Sequence, residues 1–460
     1  MILLFDCPEL KEELEKEKEQ NRKLKRTLQA HMKQNEKLKG TDVEKVDQDL
    51  KSTEVAQIKH KVNQDYMGIF EFKSGMEGTI AKHLIVDLKP KVAQTLLPGL
   101  PAYILFMCLR YTDHINDENR LRAFLVPTIS GIKKVVKKRQ NDLDTMVLWL
   151  TNTSRLTNCL RQYSGEKNFQ SENTPKQNSQ CLRHFDLNEY RNILNDVCVW
   201  VFMGMLKLIQ ERVQNMIVPG VLENEAIAGL SGPPVGSRTH ASSVGGEDEV
   251  ALDPRQAMAL LLRELDFLYE TFDSYGMDPQ LVPCIFQQLF YFICAVSLNN
   301  LLLRKNLCHW SKGLQIRYNL SSLEDWGRSR KMNGEVLDSL KPVIQASQLL
   351  QAKKSDENVA AICEMCNKLT PAQINKLLML YTPADEYEEK VAPSFIRKVQ
   401  SELARTRGDA TSASPGPMQT TLLMDTKFTY AIRFPFTPSS IRLEDIELPS
   451  ALRLNFLNKI

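Results

Sequence analysis

The 460-residue chain has almost no net charge: 59 basic and 56 acidic residues leave +3 at pH 7. That balance is too near neutral to imply a nucleic-acid binder, and the densest basic run has no aromatic residues interleaved with it. No G-x-x-x-x-G-K-[ST] occurs, so these residues hold no phosphate-cradling loop for nucleotide hydrolysis. Gly165-Glu166-Lys167 reads as a turn. No G-x-S-x-G elbow supports a nucleophile. The opening MILLFDCPELKEE has a very short apolar run with acidic flanks, which makes a poor secretory signal. Ten cysteines in that setting read as free thiols in a reducing compartment. No strand pattern appears before Phe428. These absences exclude an evident enzyme and point to an all-α, cytoplasmic protein that needs no cofactor or metal.

What is present is organised around Pro283 to Trp310, PCIFQQLFYFICAVSLNNLLLRKNLCHW. Cys284 to Leu303 contains no charged residue, and a helix apolar on nearly every side must be buried on every side. The run is long enough for a bilayer, but Gln287, Gln288, Asn299 and Asn300 fall inside it, and unpartnered amides are costly in hydrocarbon. A core helix is favoured, with Asn299 and Asn300 hydrogen-bonded to neighbouring helices or a facing loop.

Around that helix the chain divides in four. Residues 9–39 are rich in helix formers and lack Gly and Pro. Leu14, Asn21, Leu28 and Asn35 at a, with Leu10, Glu17, Leu24, His31 and Leu38 at d, give the C-terminal part of a weak coiled coil; a solvated single helix is the alternative. Residues 40–61 read as a linker. Residues 62–252 and 253–460 read as two packed helical-bundle subdomains. Their boundary falls in the Gly/Ser/Pro-rich stretch from Gly229 to Val250. Helices are expected over Tyr103–Arg110, Leu121–Arg139, Leu143–Tyr163, Asp186–Met216 and Pro254–Phe272, with a polar loop from Tyr163 to Cys181. The prolines in RFPFTPSSIRLEDIELPS forbid a helix, so this C-terminal segment should run extended over a neighbour.

Few constellations carry chemistry. Cys363-Glu364-Met365-Cys366 lacks the second ligand pair of a zinc site, and its thiols would pack on one helix face. Cys181 to His184 and Cys308-His309 are single hints of metal ligation, better read as core thiols and partnered histidines. Lys133, Lys134, Lys137, Lys138 and Arg139 form one cationic ridge if helical, with Ile132, Val135 and Val136 turned inward. The ridge is either a solvated face or a docking patch for an acidic partner or anionic lipid. Ser242 and Ser243 lie in the Gly/Ser-rich stretch near Arg238 and are either solubilising or sites of regulatory phosphorylation.

The stretch FYFICAVSLNNLLLRKNLCHWSKGLQIRYNLSSLEDW resembles the globular tail, or dilute domain, of class V myosins. So do DLKPKVAQTLLPGLPAYILFMCLRYTDHIND, SGIKKVVKKRQND, LRQYSGE, FDLNEYRNILNDV, IQASQLLQAKK, INKLLMLYTPADEYEEKV and RFPFTPSSIRLEDIELPSALRLNFLNKI. The matches run in order from about Val62 to Ile460. The resemblance implies a non-catalytic cargo-binding tail of an actin-based motor, with the C-terminal segment crossing back to the first subdomain. It implies cargo adaptor proteins and Rab-family small GTPases as partners, homodimerisation through the coiled coil, and membrane contact only through adaptors. It also implies vesicle and actin association. Lys305 and Lys376 match positions that grip the motor head in an autoinhibited form, and are otherwise surface lysines. Tyr318 and Gln351 match positions for Rab contact; Tyr318 suits an interface anchor or a core position equally. A helical vesicle-tethering subunit without a motor shares the same fold logic and is the second reading.

Overall fold

The computed structural model describes residues 66–227, 252–383, 390–408 and 421–460. The coiled-coil register and the linker expected over 9–39 and 40–61 lie outside them. In chain order the α-helices are α1 (Glu77–Ala81), α2 (Pro90–Ala93), α3 (Leu100–His114), α4 (Glu118–Lys138), α5 (Leu143–Gln162), α6 (Lys167–Gln170), α7 (Pro175–Ser179) and α8 (Asn188–Ile217). They continue with α9 (Pro254–Ser274), α10 (Leu281–Leu303), α11 (Trp310–Ser329), α12 (Gly334–Asp338) and α13 (Lys341–Gln351). Last come α14 (Val359–Met365), α15 (Pro371–Leu380) and α16 (Pro393–Gly408). The all-α class expected from the sequence is what the molecule adopts.

Helix boundaries follow local chemistry. The LLPGLP segment closes one helix and opens the next: Gly99 takes φ +76° as the N-cap of α3, a left-handed position that glycine adopts without a Cβ penalty. Pro101 then sits in the first turn, where a missing N–H costs nothing. The expected polar loop from Tyr163 to Cys181 contains two helical turns instead. The second, α7, opens with a capping box in which Thr174 and Gln177 satisfy each other's backbone. Propensity over so few residues does not announce such short turns; the cap does.

Helix α10 is the hub. It packs against α8 from the first half of the molecule and α12, α13 and α15 from the second. Its Ile285, Phe286, Leu289, Phe290, Ile293, Leu298 and Leu301 are fully buried, and each such side chain contributes roughly 1.5–3 kcal/mol of transfer free energy. Phe286 and Phe290 stack on Trp326 of α11 with ring centroids 4.9 and 5.9 Å away. Length and composition alone would let α10 cross a membrane, but protein surrounds it. The amides inside it are all engaged where they are buried. Asn300 Nδ2 donates to the Val296 carbonyl one turn back at 2.9 Å. Asn299 and Gln288 reach outward to the C-terminal segment.

That segment, 421–460, is the second organising element. Apart from two 3₁₀ turns at Leu443–Asp445 and Ser450–Leu452 it runs extended until its last residues, and helix side chains satisfy much of its backbone. Asn299 donates to the Met424 carbonyl and accepts from the Met424 amide, both at 2.8 Å. Gln288 donates to the Phe428 carbonyl at 2.7 Å and accepts from the Tyr430 amide at 2.8 Å. On α5, Gln162 accepts from the Ser439 amide at 2.8 Å and donates to its carbonyl at 3.0 Å. A carboxamide has one donor side and one acceptor side, so it can pair with backbone as a neighbouring strand would. The Tyr103 hydroxyl, pushed up to about 12 by burial, stays protonated and lies 2.6 Å from Ser439 Oγ. At the end, Asn458–Lys459 pairs antiparallel with Phe70–Glu71 in a two-residue ladder. The strand at Phe70 runs against the expectation of none before Phe428; two residues are too few for an alternating pattern to register.

Because Asn299 makes two hydrogen bonds to Met424, each worth about 0.5–1.5 kcal/mol, Asn299→Ala is expected to lower the unfolding free energy by about 1–3 kcal/mol. Gln287→Ala, at an amide of the same helix with no such pairing, should stay within about 0.5 kcal/mol. Urea denaturation of both variants checks this, and equal effects would contradict it.

Candidate partner-docking site

The cationic ridge forms as its spacing requires. In α4, Lys133, Lys134, Lys137 and Lys138 are exposed, while Ile132, Val135 and Val136 are buried. The helix lies beside α8, and between them is a concave groove of about 380 Å³ lined by Lys133, Lys137, Asp196, Val197 and Trp200. Trp200 is 44% exposed. The indole shares the groove with two ammonium groups and the Asp196 carboxylate, and tryptophan is enriched among the few residues that dominate interface energies. Ile193 and Met203 extend the exposed apolar strip along α8. Nothing in the composition of α8 singled out Trp200. Its signal is positional: with Asp196 and Lys207 it falls on the polar side of the helix, opposite Val197, Val201 and Met205.

The resemblance-based residues separate into two places. Lys305 is exposed in the 3₁₀ turn that follows α10, and Lys376 is half-buried on α15. They share one corner. The Thr382 amide and hydroxyl donate to the Cys308 carbonyl at 2.8 and 3.3 Å, which fastens the end of α15 to the turn carrying Lys305. Burial pushes the Cys308 thiol up to about 12, and the nearby Lys376 ammonium pulls it the other way. Tyr318 stands 52% exposed on α11. Gln351 is committed to packing: its amide donates to the Gly313 and Ser347 carbonyls at 3.2 and 3.1 Å. It helps hold α13 against α11 at Gly313, where an added Cβ would lie 2.8 Å from Leu350 Cβ. Ser242 and Ser243 lie outside the described residues.

The sulfur-containing motifs are structural. Cys363 and Cys366 are buried at the end of α14, and Arg407 donates to the Cys363, Cys366 and Leu369 carbonyls, closing that helix end. His309 is the N-cap of α11, accepting from the Lys312 amide at 3.2 Å. Asp113 receives the backbone N–H groups of Arg183, His184 and Phe185, so the loop around Cys181 and His184 is pinned by a carboxylate. Among the described residues, no three His, Cys, Asp or Glu side chains are placed to hold a metal ion.

Residues 284–385 match the family model of the DIL domain. The chain is 44% identical to unconventional myosin-Va of Gallus gallus and of Homo sapiens over 462 aligned residues, covering 98% of the chain and 24% of each relative. It is 41% identical to unconventional myosin-Vb of Homo sapiens, again over 98% of the chain and 24% of the relative. The chain thus spans about a quarter of the length of the curated relatives it matches. Two solved structures share the fold. The structure of Myo2-GTD in complex with Mmr1 superposes with a TM-score of 0.60 at 20% identity, covering 82% of this chain and 93% of that one. The myosin V cargo binding domain superposes with a TM-score of 0.56 at 19% identity, covering 81% and 89%.

Burial pushes the Cys159, Cys198, Cys294 and Cys366 thiols up to about 12, denying them both thiolate and access. Cys181 and Cys284 are only partly buried. In a Cys7→Ser background at pH 8, iodoacetamide should label Cys181 and Cys284 in the native protein and the others only after unfolding. Peptide mapping reads this, and native labelling of Cys366 at the rate of Cys284 would contradict it.

Proposed function

The chain belongs to the class V unconventional myosins, as their non-catalytic cargo-binding globular tail, and from that premise we propose that it seats vesicle adaptors in the α4/α8 groove. The observation that carries this reading is Trp200, exposed beside Lys133 and Lys137 in the groove between the two long helices. A rigid surface with one aromatic anchor and a cationic rim suits a short acidic segment bearing an apolar side chain. Lys134, Lys138 and Arg139 extend the rim and steer the encounter in a salt-dependent way.

The same reading places GTP-loaded Rab proteins at Tyr318 with Gln351, and the motor head at Lys305 with Lys376. Head docking folds the heavy chain into an inhibited state that cargo or salt reverses. A few exposed cations bias such an equilibrium without locking it. Residues 9–39 pair two chains, and the resulting bivalency turns two modest cargo contacts into a firm one through effective concentration. The division into residues 62–252 and 253–460 separates the adaptor groove from the Rab and head surfaces. Phosphate at Ser242 or Ser243 adds negative charge between the two. The tail acts in the cytoplasm on vesicles bound for actin tracks, and membership in a motor family sets this reading above a tethering subunit without a motor.

Fluorescence anisotropy with a labelled acidic amphipathic peptide tests the groove. Trp200→Ala should weaken binding at least about tenfold, and Lys133→Glu with Lys137→Glu should weaken it and flatten its salt dependence. Affinity unchanged in both variants, with folding intact, overturns the groove assignment. For the Rab surface, Tyr318→Ala should reduce retention of GTP-loaded Rab proteins in a pull-down and leave peptide binding untouched.

A further inference from the structure

Helix α5 carries a polar stripe on a face turned away from solvent. Thr151, Ser154, Arg155 and Asn158 follow one another at i, i+3, i+4 and i+7, one side of a helix, and Thr151, Ser154 and Asn158 are buried. Facing them is the turn between α9 and α10, which brings Gly276 and Asp278. Between stripe and turn lies a narrow cavity of about 10 Å³, room for one water molecule and no more.

Two polar atoms of the residues lining this cavity are fully buried and have no protein partner: Thr151 Oγ1 and Asp278 Oδ2. Thr153 and Thr157 of the same helix donate to the carbonyls four residues back at 2.6 and 2.9 Å, but Thr151 makes no such bond. The other Asp278 oxygen accepts from the Gln280 amide at 2.9 Å, so Oδ2 alone is left over. Arg155 lines the same cavity, yet it donates to the Thr437 carbonyl at 2.9 Å and, among the described residues, forms no ion pair with Asp278. The turn is held too firmly to close the gap. Gly276 takes φ +66°, and an added Cβ there would lie 2.5 Å from Pro98 Cβ. The Tyr275 hydroxyl donates to Asp144 Oδ1 of α5 at 3.1 Å. A buried carboxylate oxygen with no partner is costly, and polar groups too far apart for a direct bond are bridged by water.

We propose that this cavity is a binding site for one ordered water molecule, which bridges Asp278 Oδ2 to Thr151 Oγ1 and so joins α5 to the turn that opens the hub helix. The water donates to the carboxylate, and the Thr151 hydroxyl serves it as donor or acceptor. Asn158 and Arg155, on the same stripe, supply the third bond that a buried water typically makes. A metal ion does not suit the site. Divalent cations take six or more oxygen ligands, whereas here a single carboxylate shares the cavity with a guanidinium. The bridge matters because α5 also holds Ser439 of the C-terminal segment.

A high-resolution crystal structure of the chain tests the site. It should show one density peak within about 2.7–3.0 Å of both Asp278 Oδ2 and Thr151 Oγ1. A cavity without density overturns the proposal, and so does a peak at metal–oxygen distances of about 2.0–2.6 Å with six ligands. Hydrogen exchange in solution tests the bridging role. Thr151→Val removes the hydroxyl while keeping the shape, and should speed exchange over residues 275–282 about tenfold, whereas Thr151→Ser, which keeps the hydroxyl, should match the unaltered chain. Equal exchange in the two variants would show that the hydroxyl holds no bridge.

Discussion

A carboxamide paired at both ends with a peptide group is the interaction on which this molecule depends. Asn299, Gln288 and Gln162 each offer a donor and an acceptor to the C-terminal segment, which has almost no secondary structure of its own. Buried backbone must be satisfied somewhere, and the prolines at 435 and 438 remove both a helix and a continuous ladder as solutions. The helices answer with amides, Gln162 and Gln288 buried and Asn299 half-buried. The first two belong to α10 and the third to α5, so one extended segment is held by helices from both parts of the chain before its end pairs with Phe70–Glu71. Polar groups in the hub helix, which look like defects in an apolar run, are the attachment points.

This architecture suits a protein that grips others. The core is close-packed around α10, and the strap ties its ends, so surface side chains are carried on elements that do not yield. Two aromatic side chains stand exposed on such elements, Trp200 on α8 beside Lys133 and Lys137 of α4, and Tyr318 on α11. The chemistry-bearing residue types were each found in structural work. Cys363 and Cys366 pack under Arg407, His309 caps a helix, and Asp113 pins a loop.

Much of the fold was legible in the sequence because its signals are dense. The charge-free run from Cys284 to Leu303 announced a buried helix, LLPGLP a boundary, and the lysine spacing at 133, 134, 137 and 138 an outward ridge over Ile132 and Val136. Long helices with strong periodicity leave little choice. What stayed hidden depends on tertiary placement. Thr174 and Gln177 cap a turn too short to show in propensity, and the Phe70–Glu71 strand exists only because residues 458–459 arrive beside it. By composition Trp200 is one more apolar residue in VCVWVFMGML; its exposure follows from the helix side it shares with Asp196 and Lys207. Gln351 is similar: its amide is bound to Gly313 and Ser347, a tertiary pairing that nothing in LLQAKK announces.

Hydrogen exchange on a Gln162→Leu, Gln288→Leu and Asn299→Leu triple variant, followed by mass spectrometry, tests the role of these amides most directly. The account predicts that residues 421–460 lose protection while the buried segments of α5, α8 and α10 keep it. Unchanged protection across the C-terminal segment would show that apolar packing alone holds it, and would contradict the account.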